Sequence, residues 1–566
     1  MSPYSQTVIL RKTLSKCLSK KSFNQLLYRT YFNYSNRTTH NSGTGNGSQQ
    51  TGNRKVNSNV AIVGSGSVLL AYYYLSSSHL VSLDSVKGIK QFSSSSIDSN
   101  YNTDGSNKDS LLLLSDNEVN IKLHNLEASS LVNRAKGIIR YDISQLPSNH
   151  PIEDNHVEQI ITTPSKNGTS SGNNVSENDL YFFGIFDGHS GPFTSAKLST
   201  DLVKYVATHL NKLYKDEEID ESTLSKKFDK AIENGFLQLD NDIVNGSLKA
   251  LFEDPSKQNV IDALPAISGS CALLSVYNSQ TSTLKVAVTG DSRALICDQE
   301  EDGNWTVKSL STDQTGDNLS EVERIRSEHP DEPNAVRNGR VLGSLQPSRA
   351  FGDYRYKLND IEGRSLSELP DHVKIYFRKE PRFFLTPPYV TAKPEITTTK
   401  INVKKTKFMV LGSDGLFELL SNEEIAGLVV RWLENNQNKM QNNNSKKPLA
   451  ISKKLPAVAD LSVDKEAQRP AFRYKSKSKS TSSSAPEYLL EDSNVSTHLI
   501  RNALSAGGSK EYVSTLVSIP SPMSRRYRDD LTVTVVFFDE PSSNSTSADG
   551  SVITNIHATT PPKPKL

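Results

Sequence analysis

Asp187, Gly188 and His189 end an apolar run, "YFFGIFDGHSGP" (Tyr181 to Pro192), where buried-looking residues give way to a carboxylate and an imidazole. The β-rich, alternating stretch Leu180 to Phe186 predicts a strand, and Pro192 suits the first position of a following helix. A tight Asp-Gly turn joining two elements would explain this stretch alone. The design recurs, however. "KFMVLGSDGLFELLS" (Lys407 to Ser421) breaks an apolar strand, Phe408 to Leu411, at Gly412 and delivers Asp414 before Gly415. "YRDDLTVTVVFFD" sets Asp529 and Asp530 immediately before a strand from Leu531 to Phe538. "NHPIEDN" adds Glu153 and Asp154, and "VAVTGDSRALICD" adds Asp291, read as the turn of a hairpin between strands near Leu284 to Val288 and Arg293 to Cys297.

Two of these acids follow strands and one precedes a strand. In an antiparallel sheet the end of one strand lies beside the start of its neighbour, so Asp187, Asp414 and Asp529 are expected at a single sheet edge. Carboxylates with a backbone carbonyl and water suit Mg²⁺ or Mn²⁺, which prefer octahedral oxygen shells; without a Cys/His cluster, zinc is disfavoured. A pair of such ions bridged by one carboxylate suits phosphoester hydrolysis, where a hydroxide must approach a phosphate that repels it. His189 then stands where a general acid could protonate the departing oxygen. Gly188 would be small so that its carbonyl reaches the second ion.

The elements that must hold these residues are partly legible. After Pro192, Leu198, Leu202, Val206 and Leu210 recur at helical spacing and predict a stripe packed on a sheet. Ser421 with Glu424 reads as a capping box opening another helix. "SEVERIRSEHP" (Ser320 to Pro330) reads as a helix capped by a Ser320/Glu323 box, with its charges on a solvated face.

Hydrophobic residues make up only 35% of the 566 positions, so much of the chain is not expected to be core. Ser- and Asn-rich stretches at Asn36 to Asn59, Ser93 to Ser110, Ser165 to Glu177, Asn435 to Lys447 and Ser476 to Ser484, with the polar tail after Asp539, read as linkers, insertions or disorder. Three cysteines, Cys17, Cys271 and Cys297, show no metal-binding spacing and point to a disulfide-independent compartment.

Charge is uneven along the chain. Met1 to Leu83 carries nine Lys or Arg and no Asp or Glu, a composition that reads as a mitochondrial targeting leader, with a basic arm for nucleic acid or lipid as the competing reading. Val60 to Leu75 is uncharged and slightly short for a spanning helix, so it reads as an inner-membrane anchor or a sorting signal. The chain ends Pro564, Lys565, Leu566, a partial match to a peroxisomal address. These features divide the chain into a leader and linker (1–59), the apolar segment (60–75), a linker (76–130), a catalytic domain (131–539) with insertions near 165–177 and 435–487, and a tail (540–566).

"FFGIFDGHSG", "VAVTGDSRALI", "RAFGD", "VLGSDGLFELLSNEE" and "YRDDLTVTVV", in this order, resemble the metal-dependent (type 2C) serine/threonine protein phosphatases over roughly Ile138 to Asp539. "SNHPIED", "EVERIRSEHP", "GRVLGSLQPSRAFGD", "PPYVTAKPE" and "STHLIRNAL" resemble the pyruvate dehydrogenase phosphatase subgroup. The resemblance implies an α+β fold, an α-β-β-α sandwich of two antiparallel sheets flanked by helices. It also implies a site for two Mg²⁺ or Mn²⁺ ions. Asp187 would bridge both ions, Gly188 would offer its carbonyl, and Asp414 and Asp529 would ligate the first ion. Glu153 and Asp154 would hold water, and Asp291 would join a weaker third site. Asp530 stands where many relatives have Asn.

One departure matters. The family places a phosphate-clamping arginine four residues before the motif glutamate, and that position here is Asn149, a weaker phosphate partner than a guanidinium. Arg140 is read either as its substitute or as a structural surface arginine. The implied substrate is phosphorylated pyruvate dehydrogenase complex, with import machinery meeting the leader, possible contact with the inner membrane and no nucleic-acid partner. Two competing readings are a phosphatase of other mitochondrial or peroxisomal phosphoproteins and an inactive scaffold that keeps the fold. The scaffold predicts loss of a metal acid, yet Asp187, Asp414 and Asp529 are all present.

Overall fold

Alternation along two strands decides the architecture. In Leu531–Phe538 every residue is buried, because Leu531, Val533, Val535 and Phe537 face one apolar cluster while Val536 and Phe538 face another. In Asn178–Phe186, Tyr181, Phe183 and Ile185 join that second cluster, and Leu180, Phe182 and Phe186 join a third. A strand that alternates between two apolar layers must be covered on both sides. The computed structural model describes residues 113–539, without 133, 135, 164–177, 216–220, 443–450 and most of 464–486, together with 553–554.

Among the described residues, two main sheets are built from the two-residue strand Ile553–Thr554 and twelve longer strands. The longer strands are β1 Ala128–Leu131, β2 Ile138–Leu146, β3 Asn155–Thr163, β4 Asn178–Phe186, β5 Ala272–Asn278, β6 Thr283–Thr289, β7 Arg293–Gln299, β8 Trp305–Ser309, β9 Glu395–Lys400, β10 Thr406–Gly412, β11 Val458–Asp460 and β12 Leu531–Phe538. One sheet runs β9-β6-β5-β4-β3. The other runs β11-β8-β7-β10-β12-β2-β1 and ends on Ile553–Thr554. Apart from β8 with β11 and β1 with Ile553–Thr554, the neighbours in these sheets are antiparallel.

Between the sheets lie Tyr141, Ile143, Phe183, Ile185, Leu273, Val286, Val288, Ile296, Met409, Leu411, Val536 and Phe538. Each such buried aliphatic or aromatic side chain contributes about 1.5–3 kcal/mol of transfer free energy. Helices α1 (Phe193–Lys215), α2 (Glu221–Asn241) and α3 (Lys257–Ile267) cover the five-stranded sheet, with Leu198, Leu202, Val206 and Leu210 buried as their spacing predicts. On the far face of the other sheet pack α4 (Asn422–Asn442), α5 (Val495–Leu504) and α6 (Lys510–Ser518). The result is the α-β-β-α sandwich. Helix α1 begins at Phe193, one residue beyond the position assigned to it by Pro192, whose carbonyl accepts from the Ala196 N–H at 3.0 Å.

Several expectations are corrected. Strands β6 and β7 do not pair with each other, so Gly290–Asp291–Ser292 is no hairpin turn but a crossing from one sheet to the other. The helix Leu319–Glu328 is capped by Asn318, which accepts from the Ser320 N–H at 3.0 Å, and not by a Ser320/Glu323 box. Its charges are not all solvated: Glu321 is buried against Arg349, Arg324 and Ser348, and its carboxyl is held down to about 2 because those donors outweigh burial. The fold also starts earlier than 131, since β1 pairs with β2 and Asp116–His124 buries Val119 and Leu123 in the core. Part of the 435–487 insertion is structured, with α4 reaching Asn442 and β11 extending the large sheet. The Ser421/Glu424 box is present, Glu424 accepting from the Ser421 N–H at 2.9 Å. The leader, Val60 to Leu75 and the last three residues lie outside the described residues.

Candidate metal centre and active site

Asp187 leaves the end of β4, and its carbonyl accepts from the Cys271 N–H at 2.8 Å, which fixes it to the start of β5. Asp291 sits on the crossing between the sheets. Its Oδ1 accepts from Cys271 Sγ at 3.2 Å and its Oδ2 from Gln346 Nε2 at 3.3 Å. Asp414 opens the one-turn helix Asp414–Phe417 just past β10. One carboxylate oxygen from each of the three lies within 4.8 Å of the others. These acids come from both sheets, so the edge expected within one sheet is a seam between two.

Three carboxylates so close repel one another. Burial, then the charges of Asp154, Asp414 and Asp291, push the Asp187 carboxyl well above the usual carboxylate range, with Arg525 pulling the other way. Asp154 is likewise pushed up by burial and by Asp530, against hydrogen bonds from Thr532 and Ser413. A hard divalent cation resolves such a cluster, since it favours the ionised form of every ligand. The donor set therefore fits Mg²⁺ or Mn²⁺ and offers nothing softer than oxygen apart from the protonated Cys271 thiol, which burial holds up.

Asp529 is not within the tight trio. It pairs with Arg525, and its Oδ1 accepts from the Asp530 N–H at 2.7 Å. It nonetheless borders Asp414, because a Cβ built on Gly415 would stand 2.3 Å from the Asp530 carbonyl oxygen and 3.3 Å from Asp529 Cβ. Pairing of β10 with β12 brings these segments together, with Thr532 N–H donating to Ser413 Oγ at 3.0 Å. Gly188 also has a steric reason to be glycine. A Cβ there would meet the Glu153 carbonyl oxygen at 2.1 Å and Ser195 Oγ at 2.8 Å.

Glu153 and Asp154 stand beside the trio. Glu153 accepts from the Gly191 N–H at 2.6 Å and from Asn149 Nδ2 at 2.9 Å, and burial raises its carboxyl. Asp154 accepts from Thr532 Oγ1 at 2.7 Å. The loop that carries them is fastened by Asp530, a role the sequence reading missed. Its Oδ1 accepts from Ser148 N–H at 2.5 Å, Ser148 Oγ at 2.8 Å and Asn149 N–H at 3.2 Å, and its Oδ2 from Glu153 N–H at 2.8 Å.

His189 lies in a short three-stranded ribbon, Gly188–His189 pairing with Gly269–Ser270 and that with Phe351–Gly352. This ribbon puts His189 Nε2 2.6 Å from Asp353 Oδ2. Burial opposes a charged imidazole, but the Asp353 carboxylate outweighs it and the net shift is upward. Asp353 was also missed; the only signal for it was its place in "RAFGD". Arg140 is committed elsewhere. Asp142 accepts from its Nε at 2.7 Å and its guanidinium lies 5.1 Å from the Trp432 ring centroid. It also sits six residues before Leu146, about 20 Å of strand away from the site end of β2.

A family model described as Protein phosphatase 2C matches residues 152–460, more than half of the chain. The chain belongs to the protein phosphatase 2C family. It is 56% identical, over all of both chains, to a Saccharomyces cerevisiae protein named mitochondrial [pyruvate dehydrogenase [acetyl-transferring]]-phosphatase 1. It is 40% identical to a Schizosaccharomyces pombe protein phosphatase 2C homolog, covering 74% of this chain and 84% of that one. A Bos taurus protein with the same name as the budding-yeast relative is 29% identical over 75% of this chain and 82% of its own length. This protein phosphatase 2C member thus carries its Asp187, Asp291 and Asp414 trio in a metal-dependent family of enzymes. Among its described residues, no helix is long and apolar enough to cross a membrane.

Proposed function

We propose that this protein phosphatase hydrolyses phosphoserine on the pyruvate dehydrogenase complex in mitochondria and so reactivates it. The observation that carries the substrate is the 56% identity over the full length to the yeast relative of that name. For the chemistry it is the trio of carboxylates. Asp187, the Gly188 carbonyl, Asp414 and Asp529 would hold two Mg²⁺ or Mn²⁺ ions, and Asp291 would serve a weaker third. Bound there, such ions supply Lewis acidity and an activated water.

The chain's own residues do the rest. Glu153 and Asp154 order water at the edge of the trio, their carboxylates fixed by Gly191, Asn149 and Thr532. His189, oriented by Asp353, gives a proton to the departing seryl oxygen, an effect worth about 10²–10⁴ in rate. The bond from phosphorus to the seryl oxygen breaks as the hydroxyl of water bonds to phosphorus; the seryl oxygen takes the proton of His189, and the proton that water gives up restores it, leaving serine and inorganic phosphate. The acid-free leader supports a mitochondrial address.

Two measurements test the reading. Purified protein with Mn²⁺ should release phosphate from phosphorylated pyruvate dehydrogenase, and cells lacking the gene should accumulate the phosphorylated form. Unchanged phosphorylation in those cells would remove this substrate and leave the same chemistry acting on another mitochondrial phosphoprotein.

A further inference from the structure

A phosphoserine brings a charge of about −1.5 to −2 into a site walled by carboxylates. A guanidinium matches phosphate oxygens in a bidentate fork better than any other side chain. Asn149 carries neither the charge nor the fork of a guanidinium, and one of its two amide N–H groups is already given to Glu153 at 2.9 Å. Arg140 is taken by Asp142.

Arg525 lies on the 3₁₀ turn Met523–Arg526, and one of its terminal nitrogens pairs with Asp529. Among the described residues its other guanidinium nitrogens have no hydrogen-bond partner. The turn is fastened to the loop that bears Asn149 and Glu153. Ser524 Oγ donates to the Ser148 carbonyl, Arg528 donates to the Pro147 carbonyl at 2.7 Å, and Asp530 takes the N–H groups of Ser148, Asn149 and Glu153. Segments 523–530 and 147–153 therefore form one wall of the site, with the Arg525 guanidinium on it. Its charge is the strongest cationic influence on Glu153 and also acts on Asp187.

We propose that Arg525 is the phosphate-binding residue of this enzyme, exchanging Asp529 for the oxygens of the substrate phosphate and taking over the work that Asn149 cannot do. The exchange also frees Asp529 for a cation. This assignment rests on the phosphatase reading above.

The test uses the full chain with Arg525→Gln and Arg525→Lys. It follows the inhibition constant of inorganic phosphate, KM and kcat on a phosphoserine peptide, and Mn²⁺ affinity by calorimetry. Loss of one charge-assisted contact should raise the phosphate inhibition constant and KM about tenfold or more in Arg525→Gln. KM should rise by more than kcat falls, Mn²⁺ affinity should hold or tighten, and Arg525→Lys should recover part of the loss. An unchanged phosphate inhibition constant in folded Arg525→Gln overturns the proposal, whatever happens to Mn²⁺ binding, and leaves Arg525 as a mere counter-charge. Absence of Mn²⁺-dependent hydrolysis in the unaltered protein would instead sink the phosphatase reading.

Discussion

Asp353 Oδ2 and His189 Nε2 stand 2.6 Å apart, although 164 positions separate them in the chain. Gly269 is what permits this pair, since a Cβ there would lie 2.1 Å from His189 Nε2 and 2.3 Å from Asp353 Oδ2. Asp353 accepts the Nε2 proton, so it sets both the ring's orientation and its tautomer. Asp353→Asn should therefore lower kcat on a phosphoserine peptide by about 10–100-fold, while changing turnover of an aryl phosphate much less. An aryl leaving group departs without a proton, so an equal loss on both substrates would show that Asp353 does not work through His189.

Asp530 accepts four hydrogen bonds from the 148–153 loop, three through Oδ1 and one through Oδ2. An amide in its place has one acceptor oxygen and must turn its NH₂ toward an N–H donor. Asp530→Asn should cost about 1–3 kcal/mol of stability and speed hydrogen exchange of the Ser148, Asn149 and Glu153 amides. Unaltered exchange there would mean the loop is held by something else.

How much of this was legible follows from how far each contact reaches. Asp187 and Asp414 announce themselves because each ends an apolar strand and is followed by glycine, a local pattern. The stripe from Leu198 to Leu210 is local too, and it is buried. Asp291 was found as a candidate but misplaced in a hairpin, because two strands joined by three residues normally pair; here they belong to different sheets. Glu321 looked solvated because its own helix is polar, and its partner Arg349 lies 28 residues on. Asp353, Asp530 and Arg525 acquire their roles only through ribbon and sheet pairings across the chain, which no single stretch displays.

His124 joins Asp116–His124 to the segment before α5, with Nε2 3.2 Å from Asp492 and Nδ1 2.8 Å from Glu127. The Asp492 hydrogen bond, then that of Glu127, raise the imidazole to about 9 against partial burial. A histidine raised in the folded state stabilises fully below its unfolded value of about 6.5, and that contribution is lost as pH climbs through the folded value. The melting temperature should fall between about pH 6.5 and 9, by about 2 °C once screening of the partly exposed ring is allowed for. His124→Gln should flatten that part of the profile, and an identical slope in both proteins would contradict the pairing. On the acid side, Asp492 is held at about 2 by His124 and Arg501 despite burial, so its contribution fades only as pH falls below the ordinary carboxylate range.

The most direct test of the whole account is a Mn²⁺ titration of the intact protein followed by calorimetry, beside Asp187→Asn and Asp414→Asn. The unaltered protein should bind Mn²⁺ and hydrolyse a phosphoserine peptide in proportion to occupancy. Both variants should keep their folded signature while losing at least tenfold in Mn²⁺ affinity and nearly all hydrolysis. Equal Mn²⁺ affinity in all three proteins, or undiminished hydrolysis in chelator, would contradict a centre built on Asp187, Asp291 and Asp414.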